Sequence, residues 1–223
     1  MIKKDGIIYN LNTATITNTN FTKITGRLIN NSGNLRFENS NVNDIYGDGI
    51  YVNINTTTRE YAIEYNKTKD GIVIYNTNEL IFKNSTIKNI NYNTDWRIVS
   101  KIQSENGPIY NSGKATIQDS LFENIGVVPN DYGNYLAMKN GGVIANYGTL
   151  NFINNTAIKT YGTYGGVIYN KGNATVDSFK NTLSSAETYG HSIYNDGKIT
   201  IKNSTFYNIR YVFLGNWYGG NNI

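Results

Sequence analysis

The stretch NGPIYNSGKATIQDSLFENI, residues 106–125, decides how the whole chain is read. A short apolar run ends at Asn111, a Gly follows two residues later, and apolar residues then fall at Ala115, Ile117, Phe122 and Ile125. The same order returns in YGGVIYNKGNATV from Tyr164 and in GHSIYNDGKITIKNSTFYNI from Gly190. Working outward, the anchor Asn recurs at Asn10, Asn31, Asn53, Asn76, Asn111, Asn146, Asn170 and Asn195, at spacings of 21, 22, 23, 35, 35, 24 and 25 residues. A period in this range is the signature of stacked repeats.

Each column of the repeat has a physical job. Two residues before the anchor stands Ile in every copy but one, where Tyr51 takes its place. Two residues after it stands only Gly or Asn: Asn12, Gly33, Asn55, Asn78, Gly113, Gly148, Gly172 and Gly197. Both types tolerate a positive φ, so a sharp left-handed turn is expected at this position. Four and six residues after the anchor come paired apolar residues, such as Leu35 with Phe37 and Leu80 with Phe82, which period two places on one face of a strand. The copy at Asn53 lacks this pair. Eight residues on lies a small polar group, Asn18, Asn39, Asn84, Asp119, Asn154, Ser178 or Asn203, which the same alternation turns inward. Apolar positions at plus eleven and plus fourteen are three apart, so the strand must bend between them.

A unit of about 22 residues with two or three short strands cannot bury its apolar face alone, but stacked copies can. The expected architecture is all-β: a right-handed, single-stranded parallel β-helix of about eight coils, with long loops at one corner. The anchor Asn shares the inward face with the Ile before it, so it either bonds its neighbours in a ladder or caps a turn. The turn-prone residue two places later favours the ladder.

Composition agrees and excludes much else. The 223 residues include 22 Gly and 19 Tyr but one His and no Cys, with only 16% charged residues. No disulfide, thiolate site or His-clustered metal site is possible, and no cofactor is expected. A net charge of +4 without a basic run argues against nucleic acid as a partner. No stretch is apolar enough for a membrane-spanning helix.

The segments GGVI at Gly141–Ile144 and Gly165–Ile168, with Phe37-x-Asn39, Phe82-x-Asn84 and Phe152-x-Asn154, carry a resemblance. They resemble the right-handed β-helix repeats of adhesin-like surface proteins of methane-producing archaea, and are similar to the GGAI and FxxN repeats of the bacterial polymorphic outer-membrane protein family. The resemblance implies an exported, cell-surface protein engaged in adhesion, and it transfers no catalytic residues. On this reading residues 1–223 form one β-helix domain cut from a longer repeat protein, with further coils of the same chain as its neighbours.

Long insertions leave after Ile90 and Ile125, at the same corner of successive coils. Such loops are where a solenoid carries function. They hold Trp96, Arg97, Tyr132, Tyr135 and Lys139, joined by Tyr161, Tyr164 and Tyr189 from shorter loops; just beyond, the outward position before the anchor is Tyr in five copies, Tyr9, Tyr75, Tyr110, Tyr169 and Tyr194. Aromatic rings with nearby cations suit a surface glycan or a partner-cell protein. The competing reading is a polysaccharide lyase or glycoside hydrolase acting on acidic glycans. It would rest on Asn93-Thr94-Asp95, with Asp95 paired to Asp131 or Glu105. His191 reads as a surface substitution. Sequons at Asn84, Asn154 and Asn203 fall in the expected inward column, where folding would hide them from modification. Open strand edges on a terminal coil predict self-association.

Overall fold

The computed structural model describes residues 6–46, 52–54, 61–63, 72–90, 105–126 and 138–209. Three parallel sheets are built from the repeat, one strand from each per coil. The first stacks Ile8–Asn10, Ile29–Asn31, Ile74–Asn76, Ile109–Asn111, Ile144–Asn146, Ile168–Asn170 and Ile193–Asn195. The second stacks the five-residue strands from Thr13–Thr17 to Lys198–Lys202, and the third runs from Asn20–Thr25 to Thr205–Tyr207. The fold is a parallel β-helix, and every column meets itself in register from coil to coil.

The described residues form seven coils, one fewer than the anchor count. Asn31 pairs directly with Asn76, and Asn53 lies instead in an antiparallel hairpin of Val52–Ile54 with Tyr61–Ile63. The reason is legible at plus four and plus six, where this copy has Thr57 and Arg59 in place of an apolar pair. A segment with nothing to line the core leaves the stack. The chain therefore departs the helix at the same corner after Ile45, Ile90 and Ile125.

The core is a set of files. Phe37, Phe82, Phe122, Phe152 and Phe179 are sealed from solvent; the first four stack with centroids 5.1 to 6.0 Å apart, and Phe179 meets Phe152 edge-on at 5.1 Å. Burying each such ring stabilises the fold by about 2 to 3 kcal/mol. The anchor column is the ladder. Asn10 Nδ2 donates to Asn31 Oδ1, and the same 2.7 Å bond repeats through Asn76, Asn111, Asn146, Asn170 and Asn195. Each interior amide also donates to the carbonyl two residues after itself, for example Asn31 to Gly33 at 2.9 Å. Buried amides are thus satisfied wholly within the stack.

Positive φ is absent from the described members of the plus-two column; besides glycines such as Gly141, Gly165 and Gly190, each five residues before an anchor, it recurs in every described coil at two other columns. One is plus eight, from Asn18 at 53° to Asn203 at 51°. The other is plus thirteen, from Lys23 at 55° to Asn208 at 56°, and it supplies the bend between the apolar positions at plus eleven and fourteen. The plus-two Gly is small for another reason. A Cβ on Gly113 would lie 2.0 Å from Asn78 O, and one on Gly148 2.1 Å from Gly113 O. Where Asn78 stands in that column, the bond of Glu79 N–H to Gly33 O stretches to 3.3 Å, against 2.6 to 2.9 Å elsewhere in the file.

The left-handed corner at plus eight also breaks the alternation, so this column faces out and not in. Asn84, Asn154 and Asn203 are exposed, and the sequons there are accessible. The inward polar position passes to plus nine, where Ser40, Ser85, Ser120 and Asn155 are buried. They form a second file, in which the Ser40 and Ser85 amides donate to the next coil's hydroxyl at 3.1 and 3.2 Å. In the sixth coil the core itself turns polar. Buried Asn181 donates to Ser192 Oγ at 2.6 Å and accepts from Ser184, which also shares a bond with Thr160.

Candidate functional site

The insertions rejoin the helix just before the first sheet, so the outer face of that sheet lies beside the decorated corner. The position before each anchor alternates with inward Ile and Asn, and its side chains point out. At 4.6 Å between centroids and 5° between planes, Tyr75 and Tyr110 stack face to face. Tyr169 and Tyr194 do the same at 5.2 Å and 6°. Between the two pairs the column holds Ala145, which is buried. Tyr147 fills the gap from two residues along the same face, with its ring 5.3 Å from Tyr110 and 5.9 Å from Tyr169. Its hydroxyl donates to Asn106 Oδ1 at 2.9 Å. The result is one continuous file of five tyrosines.

Cations close on this file. The Arg27 guanidinium lies 4.6 Å from the Tyr75 ring centre, and Lys171 Nζ lies 6.0 Å from that of Tyr169. A hydrogen bond and the charge of the Tyr169 phenol hold the Lys171 ammonium above its ordinary pKa. Both contacts are of the cation–π kind. Past the third sheet, the long strand Thr156–Tyr164 continues between Met138–Asn140 and Ser185–Tyr189. This extension brings Tyr164 within 5.5 Å of Tyr194 and 6.2 Å of Tyr189, whose side chain is largely exposed.

Of the residues singled out in the sequence, the structure unites Tyr110, Tyr164, Tyr169 and Tyr194 in this one surface. Tyr161 sits half-buried three residues from Tyr164, opposite Ser185. Lys139 is exposed on Met138–Asn140, 4.0 Å from Glu105. Trp96, Arg97, Tyr132 and Tyr135 lie outside the described residues, as do Asp95 and Asp131. Tyr189, read from the sequence as a loop aromatic beside Tyr161 and Tyr164, joins the same surface; Tyr147, Arg27 and Lys171 were not read from the sequence. Two anomalies two residues apart point to Tyr147: an Ala in the Tyr column, and an aromatic in a column otherwise held by Leu11, Ser32, Thr77, Ser112, Lys171 and Asp196.

The geometry limits the chemistry. Within the file each ring spends its faces on its neighbours, leaving edges and hydroxyls for solvent. A sugar stacks on a free ring face, and such a face is found where the file ends. Tyr189 is 62% exposed and, among the described residues, its ring contact is with Tyr164. A concavity of about 600 Å³ runs along the last three described coils, lined by Thr149, Asn151, Thr175, Lys198 and Thr200 among others. Among the described residues no group of three His, Cys, Asp or Glu is placed to hold a metal ion. Asp177 accepts from Asn203 at 3.0 Å and pairs with Lys202 at 3.2 Å. The Asn203 bond leads in holding its carboxyl below the usual range, the reverse of what a general acid needs.

No family model, no curated protein and no solved structure matches the chain. No helix among the described residues is long and apolar enough to cross a membrane.

Proposed function

We propose that this chain is a segment of an adhesin-like protein of the cell surface, serving at once as a stiff stalk and as a ligand-bearing face. The observation that carries the reading is the tyrosine file beside the corner where the insertions leave. A wall of packed rings braced by Arg27 and Lys171 gives a rigid backing, at little entropic cost to a ligand laid against it. The ligand class is a glycan, held by stacking on the free faces at the end of the file and on the loop aromatics. A partner-cell protein is the other surface such a corner suits. Tyr164, Tyr161 and Lys139, with Trp96, Arg97, Tyr132 and Tyr135 from the insertions, are the residues proposed to meet it.

The test is a glycan array probed with the intact chain. Binding to a defined set of glycans that falls at least tenfold in Trp96→Ala, Tyr135→Ala and Tyr189→Ala is the expected result. An array that stays blank, or binding that ignores all three substitutions, would remove the glycan reading.

A further inference from the structure

The corner between the second and third sheets repeats a motif that the tyrosine face does not use. At plus eight, Asn84, Asn154 and Asn203 are exposed, with φ of 46°, 51° and 51°. Two residues later stands Thr86, Thr156 or Thr205, the first residue of a third-sheet strand. Asn-x-Thr is the sequence that accepts N-linked glycans. The left-handed corner turns the Asn outward, and the alternation of the strand turns the Thr outward with it. Ser85 and Asn155, between them, are buried.

The fold does not by itself require this pairing. The corner takes Asp119 and Ser178 at φ of 52° and 53°, and plus ten takes Asn20, Asn41, Leu121 and Lys180. In the described coils Thr stands at plus ten only where Asn stands at plus eight, whereas Leu121 and Lys180 follow the two corners that are not Asn. The three Asn-x-Thr copies fall in the third, fifth and seventh described coils, with half-buried Asp119 and Ser178 between them. Neighbouring coils lie about 4.8 Å apart, so the three Asn are about 10 Å apart, which leaves room for a sugar chain on each. The bonds of these amides do not conflict with one. Asn154 Nδ2 donates to Asp119 Oδ1 at 2.7 Å and Asn203 Nδ2 to Asp177 Oδ1 at 3.0 Å, and a glycosylated amide keeps one N–H for that purpose. The sequons at Asn20, Asn30 and Asn173 lie within strands instead, and Asn30 is half-buried between Tyr9 and Tyr75.

We propose that Asn84, Asn154 and Asn203 carry N-linked glycans, which form a ridge along a corner that the first sheet and its tyrosines do not share. The inference rests on the cell-surface reading, because the transfer needs an exported chain and a lipid-phosphate-linked oligosaccharide as donor. Asn Nδ2 bonds to the anomeric carbon of the first sugar and releases one proton. The bond from that carbon to the phosphate breaks, and the lipid phosphate leaves. Transfer precedes closure of the coil, since Thr86, Thr156 and Thr205 are paired within the sheet once it has formed.

The test is peptide mapping by tandem mass spectrometry of the chain recovered from the envelope of the cells that make it. Sugar is expected on Asn84, Asn154 and Asn203 in most copies, with Asn30 bare. Thr86→Val, Thr156→Val and Thr205→Val each keep a β-branched residue in the strand and should abolish the sugar on their own Asn alone. Thr86→Ser keeps the hydroxyl and should retain it. A chain recovered from the envelope with all three Asn bare would overturn the inference and leave the surface reading standing. A chain found only in the cytoplasm would overturn both. Sugar that persists after the Val substitutions, or that loads Asn30 as heavily as the corner, would overturn the assignment to this column.

Discussion

The asparagine file inside the helix and the tyrosine file outside it are built alike, one residue per coil at the same rise, yet they tolerate change very differently. The inner file has Asn in all seven described coils without exception. The outer one has Asn30 in the second coil and Ala145 in the fifth, and it survives by borrowing Tyr147. Burial explains the contrast. An amide lost from the inner file leaves its neighbours' donors and acceptors with nowhere to turn, whereas a ring lost from the outer one is replaced by water or by a nearby side chain.

Replacing Asn111 by Ala is the most direct way to break that comparison, and it carries the largest expected effect. Asn76 Nδ2 loses its 2.7 Å acceptor and Asn146 Oδ1 its donor, while the Gly113 and Thr149 carbonyls lose a partner each. Asn76 Nδ2 keeps the Asn78 and Lys114 carbonyls at 3.2 Å, so one buried acceptor orphaned at about 1 to 3 kcal/mol, with the hydrogen bonds lost beside it at about 1 kcal/mol, predicts a destabilisation of about 2 to 4 kcal/mol by urea unfolding. Asn195→Ala, at the exposed end of the same file, should cost under about 1 kcal/mol. Equal costs at the two sites would show that position in the file does not matter, contrary to the argument.

Tyr110→Ala makes the matching cut outside. It removes stacking on Tyr75 and Tyr147 at a half-buried position on the outer face, where water can reach what is left, so about 1 kcal/mol is expected. The near-ultraviolet dichroism of stacked tyrosines should fall even though stability barely moves. A loss as large as that of Asn111→Ala would mean the outer file holds the coils together.

The same contrast decides what could be read in advance. Inward columns were legible because burial admits so few residue types: Ile before the anchor, Asn at it, apolar pairs after it. The bend between plus eleven and plus fourteen was legible as a parity break, though not the residue that makes it. The left-handed corner was sought at the Gly and Asn of plus two and lies in every described coil at plus eight and plus thirteen, and in three of them also at the Gly five residues before the anchor. Gly serves both where φ is positive and where no Cβ fits, and composition does not separate the two. At Gly113 the crowding carbonyl of Asn78 belongs to another coil, out of reach of any local reading. Plus thirteen escaped because it holds Lys23, Lys159 and Leu183 as well as Asn89 and Asn124, types chosen in spite of their backbone. The candidate surface was half legible. Its tyrosine column repeats, but Tyr147 enters from a different column, and Arg27 and Lys171 join through space.

Those misfits at plus thirteen sharpen the comparison at a smaller scale, on a surface column where water satisfies the side chain and only the backbone conformation counts. Lys159 is exposed at φ 53°, and Asn carries less strain there. Lys159→Asn should stabilise the fold by about 0.5 to 1 kcal/mol, seen as a rise in the unfolding midpoint. No change, or a fall, would mean that the lysine has a partner that outweighs its strain.

The smallest effect expected is that of pH on Asp177, the outer counterpart of an inner amide, bonded to Asn203 and Lys202 in the next coil but open to water. Its carboxyl is held below the aspartate value of the unfolded chain, led by the Asn203 hydrogen bond. The folded state therefore binds this proton less readily than the unfolded one. The resulting stability is fully present above about pH 4 and is lost as pH falls through the depressed folded value. Asp177→Asn should flatten the acid limb of the urea midpoint below about pH 4 and barely change the midpoint's pH dependence at neutrality. Because the group is solvated, the increment should also shrink in high salt. An acid limb unchanged by the substitution would show that water already supplies what Asn203 and Lys202 offer, and that coil-to-coil bonds matter only where the stack is sealed.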